Sequence, residues 1–182
     1  MSVAPLLSLL RAHRPLDANE AAMLAETLRF VETEPRCAER SLAVGHLTGS
    51  AWIADASRTR TLLTHHRKLD KWFQLGGHAD GDLDLAAVAL REAREESGLT
   101  RVRLVRDTLF DLDRHWIPAR TGEPAHWHYD LRFLIEADPA EPLVITPESK
   151  DLAWVEIARM ADYNAQESML RMARRTLAST GA

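Results

Sequence analysis

The chain has 182 residues, 46% of them hydrophobic and 27% charged, with a formal charge of -4. That length suits one domain with a small appendage, and the composition is that of a folded globular chain rather than a disordered one. A net negative charge gives no electrostatic reason to bind a long nucleic acid, so an anionic small molecule would have to be met through a local cation.

No apolar run approaches the roughly 20 residues of a membrane-spanning helix. The leucine cluster in MSVAPLLSLLRAHRP has no basic residue ahead of it and no long apolar core, so it does not read as a signal peptide. The expectation is a cytoplasmic protein without membrane contact. Cys37, the single cysteine, has no partner for a disulfide or a cysteine-rich metal site and is expected to pack in the interior.

In chain order, residues 3–34 predict two helices. Asp17 with Glu20 three residues on is a capping arrangement, Leu24, Leu28 and Val31 recur on one face, and Pro35 stops the pattern. From about residue 41 the pattern changes to short apolar runs between turn formers, which predict strands at 50–55, 60–65 and 71–75. A helix is expected at 85–97, ended by Gly98. Two longer strands, 102–117 and 126–136, flank the turn-rich segment PARTGEPA and predict a hairpin. A short strand at Ala153 to Val155 precedes a closing helix from Ala165, capped by Asn164, with Leu170, Ala173 and Leu177 on one face. The order of elements implies an α/β sandwich with a mixed sheet, residues 41–182, preceded by an N-terminal helical extension, residues 1–40.

The informative segment is GGHADGDLDLAAVALREAREESGL, residues 76–99. At about 100° per residue, Glu92, Glu95 and Glu96 fall within one arc of about 100°, while Ala86, Leu90 and Ala93 form a separate apolar arc. The like charges at i,i+3 and i,i+4 cost roughly 0.2–0.5 kcal/mol per pair. Glu95 and Glu96 also sit in the last turn, where the helix dipole repels anions by roughly 0.3–1 kcal/mol each. A divalent cation reverses both penalties, and an all-oxygen ligand set of this kind suits magnesium or manganese rather than zinc. Without a cation, the same residues would be a solvated charged face in which Arg91 pairs with Glu95.

The segment resembles the Nudix box: a glycine, five residues, a glutamate, seven residues, Arg-Glu, an apolar residue, any residue, Glu-Glu, any residue, glycine and an apolar residue. Gly77, Arg91, Glu92, Ala93, Glu95, Glu96, Gly98 and Leu99 match in register over 23 residues. The resemblance implies a Nudix-type α/β/α sandwich and a hydrolase cutting a diphosphate bond in a nucleoside diphosphate derivative or similar small molecule. It implies that Glu92, Glu95 and Glu96 bind the metal ions, with Arg91 orienting the carboxylates. It also implies that Glu148, in the loop TPESKD, brings a further glutamate, so that the base is to be sought among Glu92, Glu95 and Glu148. One position departs: the first glutamate of the box falls on Leu83, flanked by Asp82 and Asp84, either of which could supply a carboxylate from a neighbouring position.

Outside the box, alternation in HWHYDLRFLIE places Trp127, Tyr129, Leu131, Phe133 and Ile135 on one face and His126, His128, Asp130 and Arg132 on the other. The expected partner strand presents Asp111, Asp113 and His115 at alternate positions. Together these polar faces either line a substrate cleft or form the solvated side of the sheet. Seven of the eight histidines lie between His46 and His128, where they could bind phosphate oxygens or hold a further metal. His78 follows the glycine pair and is either a substrate contact or an ordinary loop histidine. Trp116 could stack on a base or sugar, or cover a core edge.

Two other functions fit the segment less well. A Nudix-fold binding module without turnover would explain Leu83 but not the complete set of helix carboxylates. An isopentenyl diphosphate isomerase-like enzyme would need a cysteine near the glycine loop, where this chain has His78. No SQPWPFP-like run and no proline at the ADP-ribose hydrolase spacing identifies a substrate. Dimerisation or a lid would suit the N-terminal extension.

Overall fold

The computed structural model describes residues 2–147 and 149–179. Two helices open the chain, α1 (Ala4–Ala12) and α2 (Ala18–Thr33). Strands β1 (Gly45–Ala54), β2 (Arg60–His66), β3 (Lys71–Phe73) and β4 (Leu75–His78) lead to α3 (Leu85–Ser97). Then come β5 (Arg103–Leu104), β6 (Asp111–Ile117), β7 (His126–Glu136) and β8 (Ser149–Glu156), a 3-10 turn, α4 (Met160–Tyr163) and α5 (Glu167–Ser179).

The strands form one mixed sheet whose main path is β3-β2-β1-β7-β5, with β4 on β1, β6 on β7 and β8 on β2. Only β1 and β7 run parallel, from Gly45↔Trp127 to Ala54↔Glu136; the other pairs are antiparallel. The sheet is sandwiched between two apolar clusters. One joins α1, α2 and α3 to Leu47, Ala51, Leu131 and Phe133. The other joins Trp52, Leu63, Phe110 and Val155 to Met169, Met172 and Ala173 of α5. The mixed sandwich is as expected, with three differences in detail.

First, the strand expected over 102–117 is interrupted. Val105 N–H donates to Leu134 O and Phe110 N–H to Arg132 O, both at 2.9 Å, so the chain leaves β7 and returns to its same edge. An apolar pattern is blind to such an excursion, because both ends belong to one edge.

Second, the closing helix turns a different face inward. Met169, Arg171, Met172, Ala173 and Thr176 are buried, whereas Leu177 is 42% exposed. A buried arginine is tolerated because its charge is matched. Arg171 donates to Asp111 from Nε at 2.7 Å and from Nη2 at 2.9 Å, and to Leu112 O at 2.7 Å.

Third, α1 and α2 are built into the body of the fold. Leu6, Leu10, Phe30, Val31 and Cys37 share the α3-side core, and Phe30 stacks on Tyr129 with ring centroids 4.0 Å apart. Asp17 caps α2 by accepting from Glu20 N at 2.8 Å. The Glu20 carboxylate, fully buried, accepts instead from Leu16 N at 2.5 Å and Leu112 N at 3.2 Å, and meets His13 at 2.8 Å. It also pairs with Arg175 of α5. The motif announces the helix start, but its glutamate serves tertiary packing.

The network around Arg171 continues into β7: Arg132 reaches Asp130 at 2.7 Å, Asp111 at 3.1 Å and Asp113 at 3.4 Å. Removing one member strands a buried partner. Arg171→Met is expected to lose about 3–5 kcal/mol of stability in urea denaturation. A loss below about 1 kcal/mol would show that this contact is not what fastens α5 to the sheet.

Candidate active site

Helix α3 starts where Asp84 Oδ1 accepts from Ala87 N at 3.0 Å and stops at Gly98, whose φ of 75° is left-handed. A side chain at Gly98 would also strike Val144, with a Cβ placed 2.6 Å from its Cγ2, and Val144 N donates to Ser97 O at 2.8 Å. Leu85, Val88, Ala89 and Ala93 are the buried apolar stripe; Ala86 and Leu90, expected at its centre, are partly buried at its margin. Glu92 and Glu96 continue that stripe by helical spacing, which turns them toward the sheet and leaves Glu95 exposed.

Two glycines make room for this. Gly49 of β1 and Gly77 of β4 are register partners. A Cβ on Gly49 would lie 2.9 Å from Leu85 O and Val88 Cγ1, and a Cβ on Gly77 would lie 2.6 Å from the carboxyl carbon of Glu92. The Glu92 carboxylate therefore occupies the space that a side chain at Gly77 would fill. Beside it, Gly76 N donates to Glu96 Oε2 at 3.2 Å. Arg91 donates from Nη2 to His78 O and to Glu92 Oε1, both at 3.2 Å, joining the end of β4 to that carboxylate.

Leu83 packs against the α3-side core. Of its neighbours, Asp82 accepts from Asp84 N at 2.9 Å and Asp84 caps the helix. Both carboxylates are thus engaged at the N-terminal end of α3, while Glu95 and Glu96 lie at the other end. Glu148 lies outside the described residues. On either side of it, Pro147 O and Ser149 O accept from Arg67 at 2.9 and 2.7 Å.

The candidates on β4 and β7, His78, His126, His128, Asp130 and Arg132, lie on the opposite face of the sheet, as strand alternation requires, whereas Trp116 pairs with Trp127 on the α3-side face. His78 and His128 come together with His46, and His126 approaches His128 at 3.1 Å. Asp130 and Arg132 are 2% and 3% exposed. Asp130 accepts from Thr48 at 2.9 Å, Ser50 at 2.7 Å and Gln74 at 3.3 Å. This polar face is thus interior and internally paired near α5, not solvated. Trp116 is 50% exposed at the sheet edge, its ring 5.0 Å from that of Trp127. An open groove of about 530 Å³ runs there between α2, β6 and the start of α5, lined by Met23, Arg114, His115 and Trp127 among others and by no residue of α3. His46 joins this group through its parallel register with His128, which no local sequence pattern announces.

The donors on α3 fit a hard divalent cation. Three carboxylates share one helical edge, two of them half-buried against glycine backbone, and Arg91 pairs with Glu92.

A model of the NUDIX domain matches residues 46–176, well over half of the chain. No curated protein matches it. Among solved structures, a Caenorhabditis elegans Ap4A hydrolase binary complex is similar with a TM-score of 0.60 at 16% identity, covering 74% of this chain and 97% of that one. A NUDIX-family hydrolase from Clostridium perfringens has a TM-score of 0.55 at 24% identity, covering 74% and 97%. The Escherichia coli dihydroneopterin triphosphate pyrophosphohydrolase has a TM-score of 0.54 at 15% identity, covering 72% and 95%. At these identities the likeness is one of fold.

Gly49→Ala and Gly77→Ala are each expected to lower stability by about 1–3 kcal/mol, because a methyl group must push α3 off the sheet or displace Glu92. Unchanged unfolding midpoints in both variants would show that the approach is looser than described.

Proposed function

The chain belongs to the Nudix family and is a Nudix-type hydrolase, and from that premise we propose that it cleaves a diphosphate bond in a nucleoside diphosphate derivative or similar small molecule, with magnesium or manganese as the working ion. The observation that carries this reading is the Glu92 carboxylate seated against Gly77, with Glu96 bound to Gly76 N–H beside it.

Glu92, Glu95 and Glu96 would hold the ions. Bound there, a divalent ion neutralises charge on diphosphate oxygens and lowers the pKa of an attacking water. The residues of the chain supply orientation. Arg91 ties the Glu92 carboxylate to the carbonyl of His78, and Gly76 N–H fixes one oxygen of Glu96, so less ordering remains when an ion arrives. Glu95, exposed on the last turn, and Glu148, which directly precedes β8 in the sequence, are with Glu92 the carboxylates proposed to accept the water's proton at an oxygen atom.

Phosphate release from a panel of nucleoside diphosphate derivatives, with and without manganese, tests the activity. Glu96→Gln is expected to keep the fold by circular dichroism and to lower kcat/KM by more than the roughly 10–100-fold typical of losing a residue that only supports a ligand. Turnover equal to that of the unaltered protein would refute the ligand assignment. Glu95→Gln and Glu148→Gln are to be compared by pH-rate profile: the base is the one whose loss removes the acid limb.

A further inference from the structure

On the face of the sheet away from α3, register brings imidazoles from neighbouring strands into one group. His46 of β1 lies beside His128 of β7, and His128 lies beside His115 of β6. His78 of β4 pairs with Thr48, two residues along β1 from His46 and on its face. Nitrogen atoms of His46, His78 and His128 all lie within 4.8 Å of one another. Ring centroids are 4.7 Å apart for His46 and His128, 5.0 Å for His46 and His78, and 5.2 Å for His78 and His128.

His46 is the unexplained member. It is 1% exposed, and neither Nδ1 nor Nε2 has a hydrogen-bond partner among the described residues. A buried ring with both nitrogens unmet carries the desolvation cost of two polar groups with nothing to offset it. His126 is poised differently. Its Nδ1 lies 2.8 Å from Pro124 O, an atom that can only accept, so Nδ1 carries the hydrogen and the Nε2 of a neutral ring is an acceptor, met by His128 Nε2–H while no ion is bound. That lone pair points at His128 Nε2, 3.1 Å away. Fixing one nitrogen on a backbone carbonyl so that the other is free is how histidine ligands are commonly held. Two imidazole nitrogens on one tetrahedral zinc, at about 2.0–2.1 Å each, would be about 3.3 Å apart, close to the separation seen.

We propose that His46, His78 and His128, with His126 as the fourth nitrogen donor, form a second metal site, for a zinc-class divalent transition ion and separate from the carboxylates of α3. An anion is the poorer occupant. Burial, followed by the neighbouring His78 and His126, holds the His46 pKa down at about 4, and burial also lowers those of His78 and His128. These rings are therefore neutral near pH 7 and turn lone pairs, not charge, toward the centre. Imidazole donors suit zinc, copper, nickel or iron, whereas magnesium and manganese favour the oxygen set of α3. His46 and His126 are buried while His78 and His128 are half-buried, so the site is walled on one side and reachable from the other.

The position gives the ion a structural consequence. It would join β1, β4 and β7 at a point where β4 is also held by α3, since Arg91 bonds the carbonyl of His78 itself. The short strand carrying Gly76 and Gly77 would then be held by ion and helix together.

The test uses the full chain with no histidine tag. Metal content by mass spectrometry is expected to show one transition ion per chain. Protein stripped by chelator is expected to take up Co²⁺ with a visible absorption band that Zn²⁺ abolishes, and Zn²⁺ is expected to restore its melting temperature. His78→Ala and His128→Ala, both at half-exposed positions, should each weaken Co²⁺ binding by roughly tenfold or more. Glu92→Gln with Glu96→Gln should leave the band unchanged, which separates this site from the hydrolytic one. The proposal is overturned if the stripped protein gives no band with Co²⁺, if the band survives both histidine variants, or if it disappears with the glutamates.

Discussion

Everything about the candidate active site follows from how closely α3 lies on the sheet. Gly49 and Gly77, facing each other across β1 and β4, are the places where a side chain would collide with the helix. Because both lack a Cβ, Val88 reaches β1, and a carboxylate stands where only apolar atoms would ordinarily be tolerated. Burying part of a charge there costs free energy unless something meets it. Arg91 meets one side of Glu92 and a backbone amide meets Glu96. These contacts orient the two carboxylates on the sheet side of α3.

The two faces of the sheet solve the problem of interior polarity in different ways. Toward α3, acidic groups are concentrated on one helix. Toward α5, acids and bases alternate: Asp130, Arg132, Asp111 and Arg171 form a chain of ion pairs running from β7 through β6 to the last helix, with Thr48 and Ser50 of β1 donating to Asp130. Burial alone would push the Asp113 carboxyl up, but Arg132, His115 and Arg171 outweigh it and hold it well below the usual range. The acids and bases of this chain of ion pairs are engaged chiefly with one another, with Arg171 Nη1 left unmet among the described residues. The histidine group beyond it is matched only in part.

Helix α3 could be read from the sequence to within a residue, because its end is a local signal: a glycine that readily accepts the terminal left-handed conformation. The three glutamates were legible for the same reason. Features that depend on two distant segments were not. Gly49 carries no local hint of the helix above it. Arg171 looks like a surface residue until Asp111, sixty positions earlier, lies 2.7 Å away. His46 gains meaning only through its parallel register with His128. The interruption between β5 and β6 escaped notice because hydrophobicity records burial and says nothing of which edge a strand returns to.

The buried carboxylate of Glu20 makes the beginning and end of the chain interdependent. It serves His13, the backbone of Leu16 and Leu112, and Arg175 at once. A chain trimmed to start at residue 46, where the domain match begins, would uncover the Tyr129 face that Phe30 shields and leave Leu112 N and Arg175 without their acceptor. The helices that precede the matched domain thus share its core and its buried ion pairs, which ties the start of the chain to its last helix.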